Sequence, residues 1–172
     1  MNKCESIKQN NAGLSIVEII IVLAIMAILG GIVVLSTSIA TDKHVTSCSE
    51  RIASTLEQTR SLVLGKRSGY FHISQTAGDG VVCQMVIDNQ NYGDPVEIGR
   101  PGITITVTFS DGHSETLTSL GSVDVEFSRS NGSVINGGAH GVVTSMDITN
   151  GRRLIRVNID RFSGRVETVK VN

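Results

Sequence analysis

Gly13-Leu14-Ser15-Ile16-Val17-Glu18-Ile19-Ile20-Ile21-Val22-Leu23-Ala24-Ile25-Met26-Ala27-Ile28-Leu29 is the stretch that decides how this chain is organised. From Ile19 to Ala40 no residue is charged. About 20 consecutive apolar residues cross a bilayer as a helix, so residues 14–40 read as a single transmembrane segment. Met1 to Gly13 is polar and carries Lys3 and Lys8, which favours a cytoplasmic N-terminus with the rest of the chain outside the cytoplasm. The apolar run is longer than the core of a secretory signal peptide, and no small-x-small cleavage site closes it. Glu18 breaks the pattern. A carboxylate inside an apolar helix costs ~2.5 kcal/mol or more unless it is paired or reaches the interface, which marks it as a functional candidate.

Working outward toward the C-terminus, the apolar run gives way to an amphipathic one. Val45, Cys48, Ile52, Leu56 and Val63 recur at helical spacing, with Lys43, Glu50, Arg51, Glu57 and Arg60 on other faces. Gly65 then serves as a C-cap. A helix from Leu14 to Leu64 would be roughly 75 Å long, apolar all round in its first half and striped in its second. Beyond it the period becomes two. Ile103, Ile105, Val107 and Phe109 alternate with threonines; Val123, Val125 and Phe127 alternate with acids; Ile155, Val157 and Ile159 alternate with Arg156 and Asn158. Val81, Cys83, Met85 and Ile87 form another apolar face, and Val166 to Val171 a last strand. Turn signals separate these runs, among them Asp79-Gly80, Tyr92-Gly93-Asp94-Pro95, Asp111-Gly112, Asn131-Gly132, Asn150-Gly151 and Ser163-Gly164. The fold class is therefore α+β, a long N-terminal helix packed on an antiparallel β-sheet head. The organisation is 1–13 a polar leader, 14–40 a membrane helix, 41–65 an amphipathic helix half and 66–172 a β-rich head.

A chain of 172 residues holds one small domain and an anchor. Its net charge of -1 argues for neither a nucleic acid nor an acidic substrate as bulk partner. Charge is nevertheless uneven, with acids concentrated from Asp79 to Glu126 and basic residues from Arg152 onward. Subunits meeting tail to middle would use that difference to set register. Arg152, Arg153, Arg156, Arg161 and Arg165 could follow phosphates, although Asp160 and Glu167 stand in the same tail. Cys48 on the helix stripe and Cys83 on a strand face both point inward, so a disulfide is chemically allowed outside the cytoplasm; two buried free thiols suit the same positions. Cys4 belongs to the leader. Asp88 to Asp94 is rich in oxygens but lacks EF-hand spacing and reads as a turn. His44, His72, His113 and His140 are scattered without ligand spacing. Gly65-Lys66-Arg67-Ser68 lacks the rest of a phosphate loop. No metal, no cofactor and no catalytic constellation is expected.

Gly13 to Ile25, with its basic leader, resembles the processing site of type IV prepilins: glycine, an apolar residue, Ser or Thr, two aliphatic residues, Glu and a long apolar helix. Leu14 stands where that family has phenylalanine most often. The resemblance implies cleavage between Gly13 and Leu14 by a membrane prepilin peptidase and N-methylation of the new Leu14 terminus. It further implies that Glu18 pairs with the Leu14 amino group of a neighbouring subunit. The C-terminal half, Val125-Glu126-Phe127-Ser128 with Asn131-Gly132 and Leu154 to Ile159 with Ser163-Gly164-Arg165-Val166, is similar to minor pseudopilins of the GspH/FimT type. Neither a proline in the membrane helix nor a cysteine pair about the C-terminal loop is present, unlike a major pilin. The implied role is a structural subunit of a type IV pilus-like filament or type II secretion system in the cytoplasmic membrane, partnered by the peptidase, other pilins and lipid. Two alternatives stay open: a DNA-binding minor pilin of an uptake machine and a generic single-pass envelope protein.

Overall fold

The computed structural model of the chain describes residues 15–65, 67–76, 80–99, 101–136 and 140–171, without the side chains of 31–41. Gly13 and Leu14 lie outside the described residues. The chain divides into two compact units, one ending at Ile39 and one beginning at Ala40. A single helix, α1 (Ile16–Leu64), contributes to both. It contains no proline, is built mainly of aliphatic and long side chains, and ends at the glycine expected to end it, with Gly65 N–H donating to the Leu62 carbonyl at 3.2 Å.

In the second unit ten strands follow: β1 (Gly69–Thr76), β2 (Gly80–Ile87), β3 (Gln90–Gly99), β4 (Thr104–Phe109), β5 (Ser114–Thr116), β6 (Ser122–Phe127), β7 (Val134–Asn136), β8 (Val143–Thr149), β9 (Leu154–Ile159) and β10 (Val166–Val171). A one-turn helix α2 (Leu117–Leu120) leads from β5 to β6. They form two five-stranded antiparallel sheets, ordered β3-β2-β1-β6-β7 and β10-β9-β8-β4-β5. The α+β class expected from the sequence, a helix followed by an antiparallel head, is what the chain adopts, with the head divided into two sheets. The strand sets interleave in sequence, since β4 and β5 leave the first sheet for the second and β6 and β7 return. Periodicity sets the face of a strand but carries nothing about which sheet it joins.

One apolar core binds these elements. Val45, Cys48, Ile52, Leu56 and Val63 of α1 are fully buried, as the helical spacing predicted. Phe71, Ile73, Val125 and Phe127 come from the first sheet, and Val107, Met146, Ile148, Ile155 and Val157 from the second. Burying one such side chain contributes about 1.5–3 kcal/mol. Ser49 and Thr59 are also buried on α1, and each satisfies its hydroxyl on its own helix, donating at 2.8 Å to the carbonyls of Thr46 and Thr55.

Two local expectations change. The β2–β3 turn is Asp88-Asn89, both at positive φ (52° and 62°), the geometry of a two-residue hairpin. Tyr92-Gly93-Asp94-Pro95, read as a turn, lies inside β3, where the pairing with β2 shifts register between Cys83 and Met85. Gln84 holds that irregularity, its buried amide donating to the carbonyls of Met85, Tyr92 and Gly93 at 3.0, 3.3 and 3.1 Å. Gly, Asp and Pro here mark a bulged edge strand rather than a reversal.

The two sheets meet at a pair of turns near α1. Gly132, in the β6–β7 turn, and Gly164, in the β9–β10 turn, both take positive φ (72° and 64°). A methyl group on Gly164 would overlap the Gly132 carbonyl oxygen, so the two backbones touch. Arg60 of α1 runs beside both glycines, and its Nε donates to the Ser163 carbonyl at 2.7 Å. Helix and both sheets are latched at this point.

Candidate assembly site

Glu18 lies in the first turn of α1, where the unsatisfied N–H groups of the helix start favour a carboxylate. One turn further on are Ile21 and Val22, 53% and 49% exposed. Every described residue from Ser15 to Gly30 is exposed, and Ile16, Val17, Ile19, Ile20, Ile21, Val22, Leu23, Ile25, Met26, Ile28 and Leu29 are all large and apolar. At 3.6 residues per turn such a run leaves no polar face. One acidic side chain on an otherwise bare apolar helix can accept one positive charge, and the hydrophobic surface around it strengthens that attraction by excluding water. Among the described residues no helix is long and apolar enough to cross a membrane. The described side chains of the apolar run stop at residue 30, short of the length a bilayer needs.

The other positions singled out by the sequence fall elsewhere. Cys48 and Cys83 are both buried, and both are free thiols. Burial foremost, and then the nearby Cys83, push the Cys48 thiol up to about 12. Cys83 is also raised by burial, against the contact of its Sγ with Thr55 Oγ1 at 3.9 Å. A thiol raised above its usual value of 9.0 stabilises the fold below that pH and loses the contribution as pH climbs toward about 12. The expected result is that neither thiol is alkylated in the folded protein at pH 8 while both react in denaturant, read by the mass added with and without urea. Unequal labelling of the folded protein would show that one thiol opens locally.

The five C-terminal arginines do not form one patch. Arg152 and Arg153 lie in the turn before β9, whereas Arg161 and Arg165 lie in the turn after it. A six-residue strand sets these turns roughly 20 Å apart. Arg156, between them on β9, is held bidentately by Asp147 of β8, Nε to Oδ1 at 2.6 Å and Nη2 to Oδ2 at 2.7 Å. Arg161 lies over the Phe162 ring, 4.4 Å from its centroid. Asp160 accepts from the Ser163 and Phe162 backbone N–H groups and the Ser163 hydroxyl, which hold its carboxyl below the usual range.

The oxygen-rich segment is likewise occupied by turn chemistry. Asp88 Oδ1 accepts from the Ser68 N–H at 3.0 Å and the Ser68 hydroxyl at 3.1 Å, lowering its pKa. The histidines show juxtapositions that sequence spacing could not, and His72 Nδ1 meets Asp124 Oδ1 across β1 and β6 at 2.5 Å. His113 and His140 stack with centroids 4.0 Å apart, and His140 Nδ1 is 3.1 Å from Asp111 Oδ2. His113 Nε2 is 3.3 Å from Glu115 Oε1 but makes no well-directed hydrogen bond. Stacked rings aim their lone pairs in parallel rather than at one point, and among the described residues no group of three ligating side chains could hold a metal ion.

Residues 8–34 match the family model described as the prokaryotic N-terminal methylation motif. The chain therefore carries the prepilin cleavage signal of type IV pilins and pseudopilins, and that signal ends in the same bare helix that bears Glu18. No curated protein and no solved structure matches the chain.

Proposed function

We propose that the chain is a structural subunit, a minor pilin or pseudopilin, of a type IV pilus-like filament or a type II secretion system. The observation that carries this reading is the methylation motif at 8–34 running directly into a helix that is apolar on every side apart from Glu18. In this reading prepilin peptidase cuts between Gly13 and Leu14, and the Leu14 amino group is methylated. Residues 14–40 span the cytoplasmic membrane with the head outside the cytoplasm until the subunit joins a filament. Glu18 then takes the positive charge of a neighbour's Leu14 terminus. Each charge is costly in hydrocarbon alone, so pairing favours docking in one register. The head displays strands and turns as a surface, and no catalytic role is assigned to it.

The division of the arginines between the two ends of β9, with Arg156 tied to Asp147, favours this structural reading over DNA capture. The test is the mature protein of wild type and Glu18→Ala. Both should begin at N-methyl-Leu14 by mass and N-terminal sequencing, and Glu18→Ala should be recovered from the membrane fraction with a severalfold loss from filaments. A wild-type protein that keeps residues 1–13 would overturn the reading. So would a Glu18→Ala chain that assembles at wild-type level.

A further inference from the structure

The β8–β9 turn is tied to α1 close to where the second unit begins. Asn150 Nδ2 donates to Asp42 Oδ1 at 3.0 Å, and Asn150 Oδ1 accepts from the backbone N–H groups of Arg152 and Arg153 at 3.1 and 2.8 Å. One amide thus fixes the turn to the helix and also fixes the turn's own shape. Arg152 is exposed and Arg153 half-buried, and Lys43 is exposed next to Asp42 on α1. Among the described residues no ion pair engages any of these three cations. Of the acids nearby, Asp42 accepts from Asn150, and Glu97 shares a groove with His44 and Arg51.

Their place along the chain gives these cations a counterpart. Asp42 stands just beyond Ala40, the last residue of the uncharged stretch. Ile19 and Asp42 are about 35 Å apart along a helix. A hydrocarbon core of about 30 Å and one headgroup layer of roughly 6 Å add to nearly the same length. With residues 14–40 spanning the membrane, the turn that Asn150 holds against Asp42 lies at the height of the lipid phosphates. We propose that Arg152, Arg153 and Lys43 bind the headgroup phosphates of anionic phospholipids on the outer surface of the cytoplasmic membrane. The contact holds the head down on the bilayer until the subunit joins a filament. This inference rests on the membrane-spanning reading given under the proposed function.

Two features favour lipid over a nucleic acid. Arg161 and Arg165 are a strand's length away and Arg156 is paired with Asp147, so the remaining cations form a small group at one end of β9 rather than a track for a polymer. A membrane presents its phosphates as a plane, which the tip of a single turn can meet. Arg152 and Arg153 also play no part in orienting the helix, because orientation is set by basic residues within about 15–20 residues of the apolar segment. Asp42 and Asn150 are 108 residues apart, so only folding brings the two arginines to this boundary. They therefore add positive charge outside the cytoplasm without opposing insertion.

The test is fluorescence quenching in phosphatidylcholine vesicles that carry the full chain, with Cys4→Ser, and a lipid bearing a nitroxide on its headgroup. One label is placed at Thr104→Cys, exposed at the end of β4 that pairs with Thr149 beside the turn, and the other at Ser130→Cys, exposed in the β6–β7 turn at the opposite end of the strands. With phosphatidylglycerol in the vesicles, the label at 104 should be quenched severalfold more than the label at 130, and high salt should remove the difference. Each basic residue at an anionic surface changes the ratio of held to free heads about fivefold, so Arg152→Gln with Arg153→Gln should lower that ratio about 25-fold. Equal quenching at 104 and 130, or quenching at 104 that needs no phosphatidylglycerol, overturns the contact. Release of the head by millimolar inorganic phosphate, or a duplex oligonucleotide that binds the wild-type chain and not the double variant, assigns the arginines to another ligand and overturns it too. A chain that does not float with the vesicles at all overturns the spanning reading beneath the inference, and flotation alone tells that failure apart. If the double variant melts lower than wild type, Lys43→Gln, on the exposed side of α1, decides by the same quenching.

Discussion

Gly13→Ala is expected to leave the chain as unprocessed precursor, with mature protein reduced at least tenfold and residues 1–13 still attached. Gly13 falls within the matched motif, directly before the bond to Leu14. A peptidase must draw the scissile backbone close to its catalytic groups, and glycine allows that approach because it has no Cβ. A tenfold loss corresponds to only about 1.4 kcal/mol, less than the cost of one badly placed methyl group in a tight cleft. The precursor should still reach the membrane, since the apolar helix is unchanged. The check is the mass of the chain recovered from membranes, and a normal mature band for Gly13→Ala would remove glycine from the recognition argument.

The second large effect is in the head. Gly164→Ala should destabilise it by ~3 kcal/mol or more, through two costs that act together. Gly164 holds φ at 64°, where a side chain costs about 1–2 kcal/mol. Its new methyl group would also overlap the Gly132 carbonyl oxygen and meet Cδ of Arg60 at 3.1 Å, so two turns and the helix must part. Gly151→Ala is the matched control. Gly151 has φ of 83° with nothing within 4 Å of a built Cβ, so that variant bears the backbone cost alone. Thermal melts should show Gly164→Ala lowered by roughly 10 °C and Gly151→Ala by about half that or less. Equal shifts would mean that the contact between the turns contributes nothing.

Residues that act through their neighbours in sequence were the ones that could be read without the structure. The α1 stripe from Val45 to Val63 and the inward faces of β4, β6 and β9 follow from spacing, and burial agrees residue by residue. Glu18 stood out because a carboxylate is conspicuous in an apolar run. Two of the strands that escaped notice, β8 and β3, have flaws in their period, whereas β1 alternates cleanly and was missed all the same. β8 buries Val143, Met146 and Ile148, a pattern displaced by the irregular pairing at Phe109, and β3 is exposed along most of its length. Pairings across long separations carry no local signal. The stacking of His113 on His140 and the meeting of Gly132 with Gly164 both arise only when distant segments become neighbours. The five arginines look like one basic tail in sequence because a strand's length is invisible in a count of charges.

The Arg60 latch also sets an order of events during synthesis. Arg60 and Ser163 are 103 residues apart, and Asn150 reaches back 108 residues to bond Asp42 at 3.0 Å. At roughly 5–20 residues per second, about 5 to 20 s separate the appearance of Arg60 from that of its partner. Over that interval the apolar stripe of α1 has no second sheet to cover it, and the helix that bears Glu18 has already left the ribosome.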